Sequence, residues 1–307
     1  MNLKQLEYFV TVAELGSFSK AAVALDIAQP ALSRQVRALE VDLRETLLRR
    51  NGRGVSLTDA GRRLFEHSVG ILNRVAQARE DMGAQRDEPV GRITLGMPPS
   101  IGRQLTLPLI DGFRRQLPKA RVAIVEGLSS HITEWLASGR IELGLLYNPE
   151  PSPSLTIDPL LQEPLCLVSA AGPSGSERGP VPLRALSRYP LVMPERQHVI
   201  RRLVESQATL AGLTLDIAAE VSSIAAIIDL VAAGYGHAVL HASAVIASGR
   251  ADQLVARPLS EPAVGTVLCL ATSAHKRATP LQRAAAQLLG ELVRHLPQGN
   301  AAHSRPG

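Results

Sequence analysis

The sequence predicts an α/β protein in three parts: a helix-turn-helix with a hairpin wing over residues 1–58, one long helix over 59–88, and alternating strands and helices over 91–300. Three observations predict it. Three short amphipathic stretches crowd into the opening of the chain and end at an Asn-Gly pair. Apolar residues then recur in steps of three and four for about thirty residues. Beyond Pro89 and Gly91, which end that pattern, short β-type runs alternate with helical stripes.

The first helix is read from Leu3, Leu6, Val10 and Ala13, with Asn2 placed to cap it. Ser17 caps the second, whose buried stripe is Phe18, Ala21, Ala22 and Leu25. A tight turn through Asp26, Ile27 and Ala28 leads to Pro30, at home in a first helical turn because its missing N–H is no loss there. Leu32, Val36, Leu39 and Leu43 make the inward stripe of the third helix. Leu47 to Leu57 then reads as two short strands around Asn51-Gly52, residues that tolerate the positive φ of a tight hairpin. Thr58 caps the long helix, whose seam of Leu64, Ser68, Ile71, Val75, Ala78 and Met82 suits pairing with another helix. Carried from Asp59 to Glu88 it would be about 45 Å long. After it, strands are expected at 92–97, 121–126, 141–147, 165–170, 191–193, 215–221 and 267–271, in parallel sheets flanked by helices. Residues 172–182 read as a loop and 301–307 as a disordered tail.

Composition narrows the function. With 307 residues and 45% hydrophobic content the chain can build packed cores. Its apolar runs are broken before the roughly 18 residues of a membrane span, so no membrane partner is expected. The N-terminus lacks the pattern of a secretory signal, so a cytoplasmic protein is expected. Cys166 and Cys269 each sit in an apolar strand-like run and are expected to be unpaired core residues. A formal charge of +5 permits a nucleic-acid partner without requiring one, and only 3% aromatic residues disfavours a base-stacking single-strand binder.

Local patterning says more. With Leu32, Val36 and Leu39 inward, Gln29, Ser33, Arg34 and Arg37 turn outward at the start of the third helix, where a recognition helix meets the major groove. Arg34 can bond a guanine edge or clamp a phosphate, Gln29 can read adenine, and Ser33 can serve either role. Arg49, Arg50 and Arg53 bracket the wing turn and suit phosphate contacts, although the nearby acids Glu40, Asp42 and Glu45 offer competing partners. Downstream, serines at 100, 129–130 and 222–223 open helices after strands. Converging helix N-termini suit a small anion, while the plain alternative is N-capping. Arg196, Arg201 and Arg202 follow Pro194 and read either as a solvated face or as a cation for such a cleft. His237 and His241 lack the further ligands of a metal site. No phosphate-binding glycine-lysine loop, zinc helix motif or glycine-flanked serine nucleophile is present, which argues against an enzyme and gives no cofactor.

The opening Leu3-Lys4-Gln5-Leu6-Glu7-Tyr8-Phe9, then Gly16 to Ala22, Ala28 to Glu40 and Leu57 to Gly61, resemble the LysR-type transcriptional regulators. Ile27-Ala28-Gln29-Pro30 and Gly91 to Pro98 are most similar to the branch that includes the nitrogen assimilation control regulator. Ala28 departs from the serine or threonine many members have there, which removes a cap from the recognition helix. The resemblance implies a regulator that binds double-stranded promoter DNA through Gln29, Pro30, Ser33, Arg34, Arg37, Arg49, Arg50 and Arg53. It also implies a homodimer joined through the 59–88 helix and assembled into a homotetramer. The effector domain would be periplasmic-binding-protein-like, with lobe I at 91–163 and 266–300 and lobe II at 164–265, the cysteines near the hinge. Its small-molecule effector, an anionic carboxylate, would meet Ser100, Ile101, Ser129, Ser130, Tyr147 and Ser222. Two alternatives stay open: a sensing domain that needs no effector, with activity set by expression level and oligomerisation, and a free solute-binding receptor, which the attached DNA-binding region disfavours.

Overall fold

A computed structural model describes residues 1–51, 54–83, 88–172, 179–274 and 278–297. The N-terminal unit has three helices, α1 (Leu3–Leu15), α2 (Phe18–Ala24) and α3 (Gln29–Leu43), followed by the antiparallel hairpin β1 (Leu48–Asn51) and β2 (Gly54–Leu57). Asn2 and Gln5 form a reciprocal capping box on α1, and Ser17 caps α2 through the amide of Lys20. Phe9, Leu32 and Leu39 are fully buried in the core these elements share. The hairpin is seated on the α1–α2 turn, where the Val55 amide donates to the Gly16 carbonyl at 2.9 Å. Gly16 needs its left-handed φ of 58° to end α1 there.

The long helix α4 (Asp59–Gly83) is held at its start by Thr58, whose Oγ accepts from the Gly61 amide at 2.9 Å and donates to the Thr46 carbonyl at 2.6 Å. Its expected end at Glu88 crosses 84–87, which lie outside the described residues, as do Gly52, Arg53 and the 301–307 tail. The expected seam is divided in use. Leu64 packs against the N-terminal core and Ser68 is fully buried, whereas Ile71 and Ala78 are exposed. The side chain of Met82 is outside the described set.

Beyond Gly91 one eight-stranded sheet runs through the rest of the chain. Strands β3 (Gly91–Met97), β4 (Ala120–Glu126) and β5 (Leu143–Tyr147) pair in parallel, as expected. The remainder of that sheet is chiefly antiparallel, which corrects the parallel reading. Strand β12 (Gly265–Ser273) returns against β5 and against β6 (Leu155–Ala170). Its second half takes β6 into another neighbourhood, where β10 (Ala238–His241) and β11 (Leu254–Ser260) flank it antiparallel, while the short β7 (Val181–Pro182) is parallel to β11. Thus β6 starts ten residues before its expected start at Leu165, because Pro159 and Pro164 face outward and a bulge at Leu160 absorbs the irregularity. A separate parallel pair, β8 (Leu191–Met193) with β9 (Ile217–Glu220), completes the strands.

Helices α5 (Pro99–Gln116) and α10 (Pro280–Arg294) share one core with β3, β5 and β12, and α6 (Ser129–Ser138) covers a smaller core with Leu146, Leu155 and Ala271. Helices α7 (Val199–Leu210), α8 (Ile224–Ala232) and α9 (Ala242–Ala247) pack with β8, β10 and the end of β6 around a different core. Two packed bodies therefore face each other, with β6 and β12 passing between their cores.

Candidate DNA-reading helix and candidate effector cavity

Burial of Leu32, Val36 and Leu39 fixes the rotation of α3, and that rotation leaves Gln29, Pro30, Arg34 and Arg37 exposed. Ser33 is half-buried and engaged. Ala28 precedes the helix with no side-chain cap, and Pro30 lies in its first turn, as the sequence implied. Arg49 is exposed on β1; Arg50 follows it in the strand, and Arg53 lies outside the described residues. Among the described residues no carboxylate pairs with Arg34, Arg37 or Arg49, so the competition from local acids does not materialise at those three. Glu40, read from sequence as a counter-charge, has a different task. Its Oε1 accepts from the amides of Leu47 and Leu48 at 2.8 and 3.2 Å, tying the start of the wing to the back of α3. Nothing in local spacing signals that contact, because it spans a turn.

Between the two bodies lies a cavity of about 320 Å³. Four helices begin on it: α5 at Pro99 and Ser100, α6 at Ser129 and Ser130, α7 at Val199 and α8 at Ile224. The serine-bearing starts of α5, α6 and α8 were expected there, but the start of α7 was not, because His198-Val199 carries no capping serine. Ser100, Ser129, Ser130, Tyr147 and Ser222 all line the cavity. Ile101 does not. It is fully buried in the core beneath α5, since the residue after Ser100 turns about 100° inward on a helix.

Capping accounts for some of these polar groups and not for others. Ser223 caps α8 through the Ala226 amide, and His198 caps α7 by accepting from the Ile200 amide on Nδ1 at 3.3 Å. Helices α5 and α6 are preceded by Pro98 and Leu128 and have no side-chain cap. Ser129 instead turns its Oγ to the Tyr147 amide, which donates to it at 3.0 Å. In α5 the Pro99 nitrogen carries no hydrogen and the Ile101 amide donates to the Pro98 carbonyl at 2.9 Å, so the Ser100 amide, together with the opening amides of α6, is what these two uncapped starts can offer the cavity.

Arg103 and Arg202 reach the cavity, and among the described residues lining it none is acidic. Arg103 also bridges the bodies by donating to the Ser248 carbonyl at 3.4 Å. The three downstream arginines divide: Arg196 is exposed, Arg202 lines the cavity, and Arg201 is buried and paired with Glu205 at 2.7 Å and Glu220 at 3.7 Å. A solvated face describes Arg196 and Arg202, which is exposed at the cavity, and fails for Arg201.

The floor is a polar network that sequence reasoning missed, its members lying far apart in the chain. Tyr147 Oη donates to Glu163 at 2.7 Å and Ser243 Oγ donates to the other carboxylate oxygen at 2.5 Å. His241 Nε2 bonds Thr266 Oγ1 at 2.8 Å, and its ring stacks on Tyr147 with centroids 4.8 Å apart. Burial, reinforced by Glu163, pushes the Tyr147 hydroxyl well above its usual range, so it remains a donor. Burial lowers His241, with Glu163 pulling weakly the other way. Burial also brings His198 down to about 4, helped by His241 and Arg202. Both cavity histidines are thus neutral at pH 7. His237 is occupied elsewhere, with Nδ1 on Ser169 Oγ at 2.7 Å and Tyr189 at its edge. Among the described residues no group of three ligands could hold a metal.

A solvent-facing helix-turn-helix joined through one long helix to two bodies around a cavity is the plan of a DNA-binding regulator with a ligand-binding domain. Comparison with known proteins carries this to the family. Residues 3–62 match the bacterial regulatory helix-turn-helix protein, lysR family, and residues 86–294 match the LysR substrate binding domain. The chain is 33% identical over 295 residues to the nitrogen assimilation regulatory protein nac of Klebsiella aerogenes, and 31% identical over 295 residues to that of Escherichia coli, covering 95% of each chain in both cases. Among solved structures it is similar to a full-length OxyR variant from Pseudomonas aeruginosa, with a TM-score of 0.70, 24% identity and coverage of 100% of this chain and 99% of that one. Full-length CbnR complexed with its target DNA matches with a TM-score of 0.56 and 25% identity over 95% of this chain and 100% of that one. This chain belongs to the LysR family: it is a DNA-binding transcriptional regulator with an effector-binding domain, and not an enzyme.

Proposed function

We propose that this regulator reads promoter DNA with Gln29, Pro30, Ser33, Arg34 and Arg37 of α3, that Arg49, Arg50 and Arg53 of the wing hold phosphates, and that a small carboxylate in the cavity modulates the complex. The observation that carries the anionic effector is the cavity's electrostatics: two arginines, four helix starts and no lining acid among the described residues. Ser100, Ser129, Ser130 and Ser222 supply its hydrogen bonds, Tyr147, whose hydroxyl hydrogen is given to Glu163, packs against it as a wall, and Arg103 and Arg202 supply its countercharge. The apolar wall of Ile200, Ile228, Leu240 and Ala244 takes the ligand's carbon body. The reading divides the chain into a DNA-binding domain at 1–58, a dimerisation helix at 59–88, and an effector domain at 91–300 with lobes at 91–163 plus 266–300 and at 164–265. The exposed Ile71 and Ala78 on α4 support pairing with a second copy, and two such dimers make the tetramer. Promoter DNA as the target places the protein in the cytoplasm. No described helix is long and apolar enough to cross a membrane.

The test is a footprint on the DNA upstream of the protein's own gene, with and without pooled small carboxylates. A protection pattern that changes with one pool supports the reading. Unchanging protection leaves a regulator set by its abundance and refutes the carboxylate effector, and no preference over random DNA at moderate salt refutes the operator assignment.

A further inference from the structure

Helix α6 touches the cavity at one end and the linker helix at the other. Its first residues, Ser129 and Ser130, line the cavity. Its last turn is held by α4: Asn73 Nδ2 donates to the Arg140 carbonyl at 3.1 Å and Arg74 donates to the Ala137 carbonyl at 3.4 Å. These are carbonyls at and just beyond a helix C-terminus, and a cation there is also favoured by the helix dipole. The approach is close. A Cβ added at Gly70 would run into the Ser138 carbonyl oxygen, and one added at Gly139, which ends α6 with φ 79°, would lie 2.7 Å from Arg74 Nε. Between its ends α6 is locked to its own lobe by the fully buried Ile132 and nearly buried Leu136. Ten residues span about 15 Å.

We propose that α6 is a rigid rod that couples occupancy of the cavity to the seating of the linker helix, with Gly70, Asn73 and Arg74 as its joint to α4. The proposal rests on the cavity being the effector site. A ligand held by the α6 start restrains a helix whose other end holds α4, so a displacement of one end reaches the other without passing through the sheet. Because coupling is reciprocal, loosening the joint must alter the cavity end.

The experiment is hydrogen–deuterium exchange on the full-length protein, comparing wild type with Gly70→Ala and with Arg74→Ala. Gly70→Ala wedges the joint while improving the helix propensity of α4. Arg74→Ala trims an exposed side chain and leaves both helices intact, so a folding defect in the first variant does not remove the test. We expect exchange in the first bonded turn of α6, Ile132 to Trp135, to rise roughly 2- to 12-fold in both variants, the range for one lost hydrogen bond in an opening equilibrium. A rise confined to Ala137–Ile141, or no rise in Arg74→Ala, overturns the rod. Benzoate serves as a probe in the same measurement. If it protects the α6 start in wild type, that protection should weaken in both variants, and equal protection in all three proteins also overturns the proposal. If benzoate protects nothing in wild type, the failure belongs to the ligand reading for that carboxylate, and the ligand-free comparison still decides the rod.

Discussion

Acidification should destabilise the effector domain through His198. The group goes from an ordinary value of 6.5 to about 4 in the folded chain, burial being the main cause. A base whose folded value is depressed binds fewer protons than the unfolded chain between those two values, so stability is full above about pH 6.5 and is lost as pH falls toward 4. The whole shift corresponds to about 3 kcal/mol, of which about 2 kcal/mol is lost by pH 5. For a unit of about 200 residues that is a fall in melting temperature of about 4–8 °C. His241, also lowered by burial, acts in the same direction, so the contribution of His198 must be isolated by substitution. His198→Asn does this, because asparagine retains a capping acceptor for the Ile200 amide but does not titrate. Calorimetry of both full-length proteins between pH 7.5 and 5 is the assay. The variant should lose about 2 kcal/mol less than wild type across that range. Identical pH slopes would show that His198 takes up its proton in the folded state, and the account of a desolvated, neutral cavity histidine would be wrong.

Three further outcomes follow from the same structure. Arg34→Ala should weaken operator binding by about 1–3 kcal/mol in a titration, and unchanged affinity would mean that another face of the N-terminal unit meets the DNA. Thr58→Val keeps the shape of the side chain but loses the cap of α4 and the bond to Thr46, so the transition of the N-terminal unit should fall by about 1–2 kcal/mol in calorimetry while Thr58→Ser stays near wild type; an unmoved transition would contradict the capping argument. Cys166, buried and with its thiol pushed up to about 11, and Cys269, buried and also raised, should both resist a thiol reagent at neutral pH until denaturant is added. Rapid native labelling of either would refute their assignment as core residues.

Local periodicity carried most of the N-terminal unit. Leu32, Val36 and Leu39 repeat at helical spacing, and Asn2, Ser17 and Thr58 stand one residue before the helices they cap. The effector region was legible only where its strands are short and uninterrupted. Strand β6 contains Pro159 and Pro164, and β11 contains Arg257 and Pro258, so neither has the clean pattern of a strand although both pair over most of their length. At the cavity, serines after strands marked three of the four helix starts. The Glu163 network was invisible because Tyr147, Glu163 and Thr266 are joined by sheet register and Ser243 reaches them from α9, and both arrangements are set by tertiary pairing.

The arginines after Pro194 show why charge assignment needs the fold. Arg201 and Arg202 are adjacent in sequence and about 100° apart on α7. That rotation sends Arg201 inward, where a bare guanidinium would be costly, and the structure meets the cost with Glu205, Glu220 and the Pro194 carbonyl. Arg202 turns to the cavity, where among the described residues lining it there is no acid. The Arg201 charge is neutralised by its partners, whereas that of Arg202 stays exposed at the cavity and contributes to holding His198 down. Arg201 is nearly fully buried while Glu205 and Glu220 reach solvent, so Arg201→Ala should impair folding through the packing and the Pro194 carbonyl bond it removes. Arg202→Ala should leave the fold intact and reduce the response to an anionic effector. Carboxylate binding that survives Arg202→Ala unchanged would move the countercharge to Arg103 alone.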